Sequence, residues 1–122
     1  MNRNRLRLID ALRTLDTLSP EPNFRWDFAV TYNQNVCGSV GCALGVAFIL
    51  DKSNEILLNS IKGALFCNEP DRLKSSMMFL ADYFDLSEPD IYSTFYDNTI
   101  YNTASLDDVQ PAMVADRLDS LP

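Results

Sequence analysis

The chain contains no histidine. That removes the usual general base, the usual partner of a nucleophilic cysteine or serine, and the commonest metal ligand. Cysteine is scarce as well, with only Cys37, Cys42 and Cys67 present. An odd, sparse set does not make the disulfide framework that staples small secreted domains, so free thiols in a reducing compartment are expected. Long apolar runs are also missing. The longest, over residues 42–50, is interrupted only by Gly45 and falls well short of the ~18 residues a membrane span needs. The N-terminal arginines resemble the start of a signal peptide, but Asp10, Arg13 and Asp16 break up the apolar stretch that would have to follow. The expectation is a cytoplasmic protein without membrane association.

Cations are the last scarcity. The 122 residues carry 10 Lys and Arg against 17 Asp and Glu, a net charge of −7. The imbalance is uneven: residues 1–26 hold five arginines and three carboxylates, and residues 27–122 hold five cations and fourteen carboxylates. From Ala81 onward Arg117 is the only cation among nine carboxylates. Such a surface repels nucleic-acid and membrane phosphate, so direct nucleic-acid binding is not expected. Solubility is one use of it. The other is recognition of a basic patch on a partner protein. On that reading the candidate surface is Asp82, Asp85, Glu88, Asp90, Asp97, Asp107 and Asp108.

What is present is helical patterning on the scale of one domain, residues 1–122. Leu8, Ile9, Leu12 and Leu15 mark a helix over 3–18, ended by Pro20 and Pro22, with Arg3, Arg7 and Arg13 on a solvated face. Phe24, Trp26 and Phe28 alternate with charged residues, the pattern of a short strand that plugs its aromatics, with Tyr32, into the core. A helix capped by Ser39 is predicted over 39–50. It is apolar nearly all round and therefore buried, with Gly41 and Gly45 on one face. Residues 51–67 fit either strand or helix. A helix over 69–84 follows, capped by Asn68, with the stripe Leu73, Met77, Leu80, Phe84. Ser87 opens a short helix through Ile91 and Phe95, and the last helix starts near Asp108 to Pro111 and buries Val114 and Leu118. The fold class is mainly α: about five helices around a buried central helix, with a small two-stranded element from 23–32 and 55–60.

Chemistry concentrates at one place. Cys37 precedes the predicted start of the central helix, where first-turn amides and the helix dipole favour anions and lower a thiol pKa. Cys37, Gly38 and Ser39 offer backbone donors to a phosphate or an oxyanion. Cys37 is the one candidate nucleophile, and without histidine its base would be a carboxylate, a tyrosine or water. Zinc at Cys37 and Cys42 would have only Cys67 and carboxylates to complete it. The pairs Asp82/Asp85 and Asp107/Asp108 do not form a calcium loop. No metal and no cofactor are expected.

The segment Cys37-Gly-Ser-Val-Gly-Cys-Ala-Leu-Gly45 follows an amphipathic helix and an aromatic stretch. Asp85-Leu86-Ser87, Tyr96, Tyr101 and Gln110-Pro111 follow it in turn. This order resembles small phage and bacterial proteins with a Cys-Gly-Thr-x-x-Cys-x-x-Gly core. Ser39 stands where threonine is usual, and Val46 where tryptophan often follows the glycine. The resemblance implies a phage or prophage setting. Two functions are then in view. The preferred one is a phage-type protein that binds a basic surface of a host protein, such as an inhibitor of a CRISPR nuclease complex. The alternative is a small-molecule or phosphate-binding domain, or a Cys-dependent enzyme, using the loop from Asn35 through Cys37 and Gly38 to Ser39.

Overall fold

The structure is a computed structural model that describes residues 1–15, 20, 23–28, 32–35, 38–66 and 69–122, with the side chains of 32–35, 38–40 and 64–66 outside that description. Helix α1 (Arg3–Arg13) begins where the Asn2 side chain accepts the Arg5 amide at 3.0 Å, which satisfies one of the first-turn donors. Leu8, Ile9 and Leu12 are buried, as their spacing predicts. Asn54 starts α3 (Glu55–Phe66) in the same way, accepting the Leu57 amide at 3.0 Å. Helix α4 (Pro70–Phe84) opens on a proline, whose missing N–H costs nothing in a first turn. Ser87 caps α5 (Glu88–Phe95) by accepting the Asp90 amide at 3.3 Å, and α6 (Pro111–Ser120) again opens on proline.

The mainly α fold class holds, with two corrections. The central helix, α2 (Ala43–Leu50), does not start at Ser39. Residues Gly38–Gly41 form β3, the middle strand of a three-stranded sheet with β1 (Phe24–Trp26) and β2 (Tyr32–Asn35). Strand β1 runs parallel to β3, pairing Phe24 with Ser39, and β2 runs antiparallel to it, pairing Gln34 with Ser39. The Gly41 carbonyl accepts the Asp27 amide at 2.9 Å, so pairing with β1 extends past the strand end. Cys42, not Ser39, is the N-cap, and its carbonyl accepts the Val46 amide at 3.0 Å. Gly41 and Gly45 therefore share no helix face. The second correction is that 55–60 are helical and contribute no strand. Leu57, Ser60, Ile61 and Gly63 are buried along α3, a helical spacing that the three-residue apolar run 56–58 does not reveal. The predicted Asn68 cap and residues 16–19 lie outside the described residues.

Helix α2 sits at the centre. Ala43, Leu44 and Val46 have no exposed surface, and α1 packs along it. Phe84 of α4 and Phe95 of α5 meet at 5.5 Å between ring centroids. The indole of Trp26 donates to the Val109 carbonyl at 2.8 Å, fastening β1 to the approach to α6, and Phe28 meets Tyr101 edge-on at 6.0 Å.

The arginines of α1 are not simply a solvated face. Arg5 is only 2 % exposed. Its guanidinium donates to the carbonyls of Leu118 (3.1 Å) and Leu121 at the end of α6, to the backbone oxygen of Pro122 (3.2 Å), and to the Asp85 carbonyl just past α4 (3.3 Å). Asn4 adds a bond to the Tyr83 carbonyl at 3.1 Å, and Arg7 donates to the Leu50 carbonyl ending α2 at 3.0 Å. Helix C-termini carry unsatisfied carbonyls and the negative end of the dipole. One helix thus supplies cationic donors to the ends of three others.

Candidate functional site

The acidic residues separate by what they touch. Arg13 holds Asp116 and Asp119, each at 3.2 Å, which ties α1 to α6. Arg117 reaches Asp90 at 3.6 Å and donates to the Ser93 hydroxyl at 3.4 Å. Asp97 accepts the Thr99 hydroxyl at 2.5 Å and the Thr99 amide at 3.0 Å, and these bonds hold its pKa below the ordinary carboxylate value. Asp108 takes the Ser105 hydroxyl at 3.5 Å on the separate turn Leu106–Asp108, where Asp107 is exposed. Asp82, Asp85 and Glu88 remain, all exposed and all at the joint between α4 and α5. Among the described residues no ion pair engages them.

The joint is locally specified. Asp85 adopts the left-handed conformation (φ 54°, ψ 54°), and the Leu86 amide returns to the Ala81 carbonyl at 2.9 Å. This is the Schellman closure of a helix, in which glycine is the usual left-handed residue. Asp85 costs more backbone energy than glycine there, yet places a carboxylate one turn after Asp82 and two residues before the Ser87 cap of α5. Its carbonyl is held by Arg5. On α5, Glu88 and Tyr92 are four residues apart and so lie on one face. Tyr92 is 57 % exposed, and its ring lies 6.2 Å from that of Tyr96. The joint therefore presents three carboxylates and one projecting aromatic.

Tyr92 was not among the residues singled out by sequence. A signal for it exists: Ile91 and Phe95 define the buried stripe of α5, which leaves Tyr92 on the outer face, one turn from Glu88. The seven predicted acidic residues, conversely, differ in what engages them. Asp82, Asp85 and Glu88 flank the α4–α5 joint, Asp90 is tied to Arg117, and Asp97, Asp107 and Asp108 belong to two later turns.

The cysteine segment loses its helix terminus. Gly38 and Ser39 lie in the middle strand, Ser39 paired on both sides and Gly38 with β2, so they do not present first-turn amides to an anion. Cys37 and Cys67 lie outside the described residues. Cys42 is buried, and burial raises its thiol pKa even though the amides of Gly45 and Leu44 face the sulfur. A thiol held neutral in this way is a poor nucleophile. Among the described residues no three His, Cys, Asp or Glu side chains gather where a metal ion would sit, and no helix is long and apolar enough to cross a membrane. Compared with protein-family models, with curated proteins and with solved structures, the chain matches none.

Proposed function

We propose that the chain is a non-catalytic binding protein that engages a basic surface of a partner protein through the α4–α5 joint. The observation that carries this reading is the sorting of charge: internal cations take up Asp90, Asp116 and Asp119, while Asp82, Asp85 and Glu88 stay exposed beside Tyr92. Exposed carboxylates steer association with a cationic surface, and a partly exposed tyrosine is a frequent energetic anchor once buried by a partner. In the phage setting implied by the resemblance of residues 37–45, the partner is a host protein. A nucleic-acid-binding component of a defence system, such as a CRISPR nuclease complex, offers the complementary basic groove. A chain that covers such a groove inhibits without chemistry of its own.

Capture from a bacterial lysate on the immobilised chain tests the reading. Wild type is expected to retain a basic protein that elutes as salt shortens the screening length from ~8 Å toward ~3 Å. The variant D82N/D85N/E88Q is expected to lose it. The control E55Q/D71N removes carboxylates elsewhere and is expected to keep it. Equal loss in both variants would reduce the effect to net charge and refute a defined site.

A further inference from the structure

Helix α4 buries one stripe and leaves another to solvent. Leu80 and Phe84 have no exposed surface, and Met77 packs beside them against the core. At about 100° per residue, Lys74, Met78 and Asp82 fall on the opposite side of the helix. Spaced four apart, they form one line along it. All three are exposed, and Met78 leaves 54 % of its surface open. Among the described residues no ion pair engages Lys74 or Asp82. The line therefore has a cation at one end, a large apolar side chain in the middle and a carboxylate at the other end.

That order is complementary to itself. A second α4 laid antiparallel about a two-fold axis through Met78 sets Lys74 against Asp82 of the second copy, and Asp82 against its Lys74. The two methionines meet at the axis, where a flexible thioether adapts to its neighbour. A parallel arrangement would instead oppose lysine to lysine and aspartate to aspartate. Each charge lies about 6 Å along the helix from Met78, so helices ~8–10 Å apart keep both pairs within reach at ordinary crossing angles. The antiparallel arrangement also opposes the two helix dipoles. Farther out, Asp85 would face both Asp71 and Arg72 of the second copy, one like charge and one opposite, so the ends neither drive nor prevent the contact.

We propose that the outer stripe of α4 is a self-association surface, through which two copies of the chain pair antiparallel with Met78 on Met78 and Lys74 on Asp82. One patch meets itself, so the assembly closes at two chains. The pairing does not depend on the partner read from the joint, although Asp82 is common to both surfaces. Sedimentation equilibrium on the purified full chain tests it. At about 50 mM salt, where screening is weak, the apparent mass is expected to rise with concentration from one chain, 13.8 kDa, toward two and no further. A small interface places the dissociation constant at roughly 10 μM to 1 mM. K74E and D82K change exposed positions only, and K74E leaves every carboxylate of the joint in place. Each sets like charges across the contact twice and is expected to weaken pairing about tenfold or more. Mixed one to one, the two variants are expected to form a heterodimer as readily as wild type pairs with itself, because each charge then meets its opposite. M78D puts two carboxylates on the axis and is expected to abolish pairing, alone or in either mixture. A chain that stays monomeric to about 1 mM, growth past two chains, or pairing that K74E and D82K neither weaken alone nor restore when mixed overturns the proposal.

Discussion

Arg5 and the α4–α5 joint meet at one residue and use charge in opposite ways. The carbonyl of Asp85 is held by the buried Arg5 guanidinium at 3.3 Å, while Asp85 itself is exposed. On the inner side, every described hydrogen bond of the Arg5 guanidinium goes to a backbone oxygen in the last turn of a helix or beyond it. On the outer side, Asp82, Asp85 and Glu88 have no cation to meet among the described residues. The difference separates charges that build the fold from charges left for another molecule. The first kind is recognisable by desolvation and by many donors on few atoms. The second is recognisable by exposure and by the absence of an internal partner.

Substitutions on the two sides therefore have different signatures. Arg5→Met strands carbonyls at the ends of α4 and α6 and is expected to destabilise the chain by about 3–5 kcal/mol in a urea titration. Arg5→Lys is expected to recover only part of this, because an ammonium does not reproduce the planar fork. A loss below about 1 kcal/mol would break the comparison, since that is the range of an ordinary exposed ion pair.

Alkaline titration sharpens the inner side further. Burial, then the bond to Asp51, raises the Tyr83 pKa to about 12. Burial also raises those of Tyr96 and Tyr101. A raised folded-state pKa means that the folded chain holds its protons longer than the unfolded chain. The stabilisation is complete below the ordinary tyrosine value near 10 and is lost as pH rises through the folded value. Unfolding monitored by tyrosinate absorbance is expected to set in above about pH 10 and to be cooperative.

Smaller effects follow. Trp26→Phe removes the bond to Val109 and is expected to cost about 1–2 kcal/mol, read as a lower melting temperature. Asp85→Gly relieves the left-handed backbone and is expected to stabilise the chain by about 1 kcal/mol while weakening partner capture. That opposition of signs is the behaviour of a residue kept for function at some expense of stability. If Asp85→Gly stabilises and leaves capture intact, Asp85 has no part in the joint's recognition.

The helices were legible wherever a long stripe met a cap. Ile91 and Phe95 after Ser87 combine periodicity with a side chain that satisfies a first-turn amide, and Leu8, Ile9 and Leu12 mark α1 by their periodicity. The sheet was not legible in full. The segment Gly-Ser-Val-Gly has no alternation of its own, and its strand character comes from partners on both sides, which only the tertiary fold supplies. The acidic surface was legible as composition but not as a site, because sequence shows where carboxylates are and not which cations reach them. Arg117 to Asp90 spans 27 positions and Arg13 to Asp116 spans 103. Arg5 was invisible for the same reason: its partners lie 80 to 117 positions away.

The most direct test of the outward-facing joint is a photo-cross-link. With p-benzoylphenylalanine in place of Tyr92, irradiation in bacterial cells that produce the chain is expected to give one main adduct. Its partner is a basic protein, and the adduct fades when D82N/D85N/E88Q is introduced alongside. The same probe at Ile56, equally exposed but on α3, is expected to give no such adduct. An adduct at position 56 with none at position 92, or an adduct at 92 that survives neutralisation of the three carboxylates, would contradict the account.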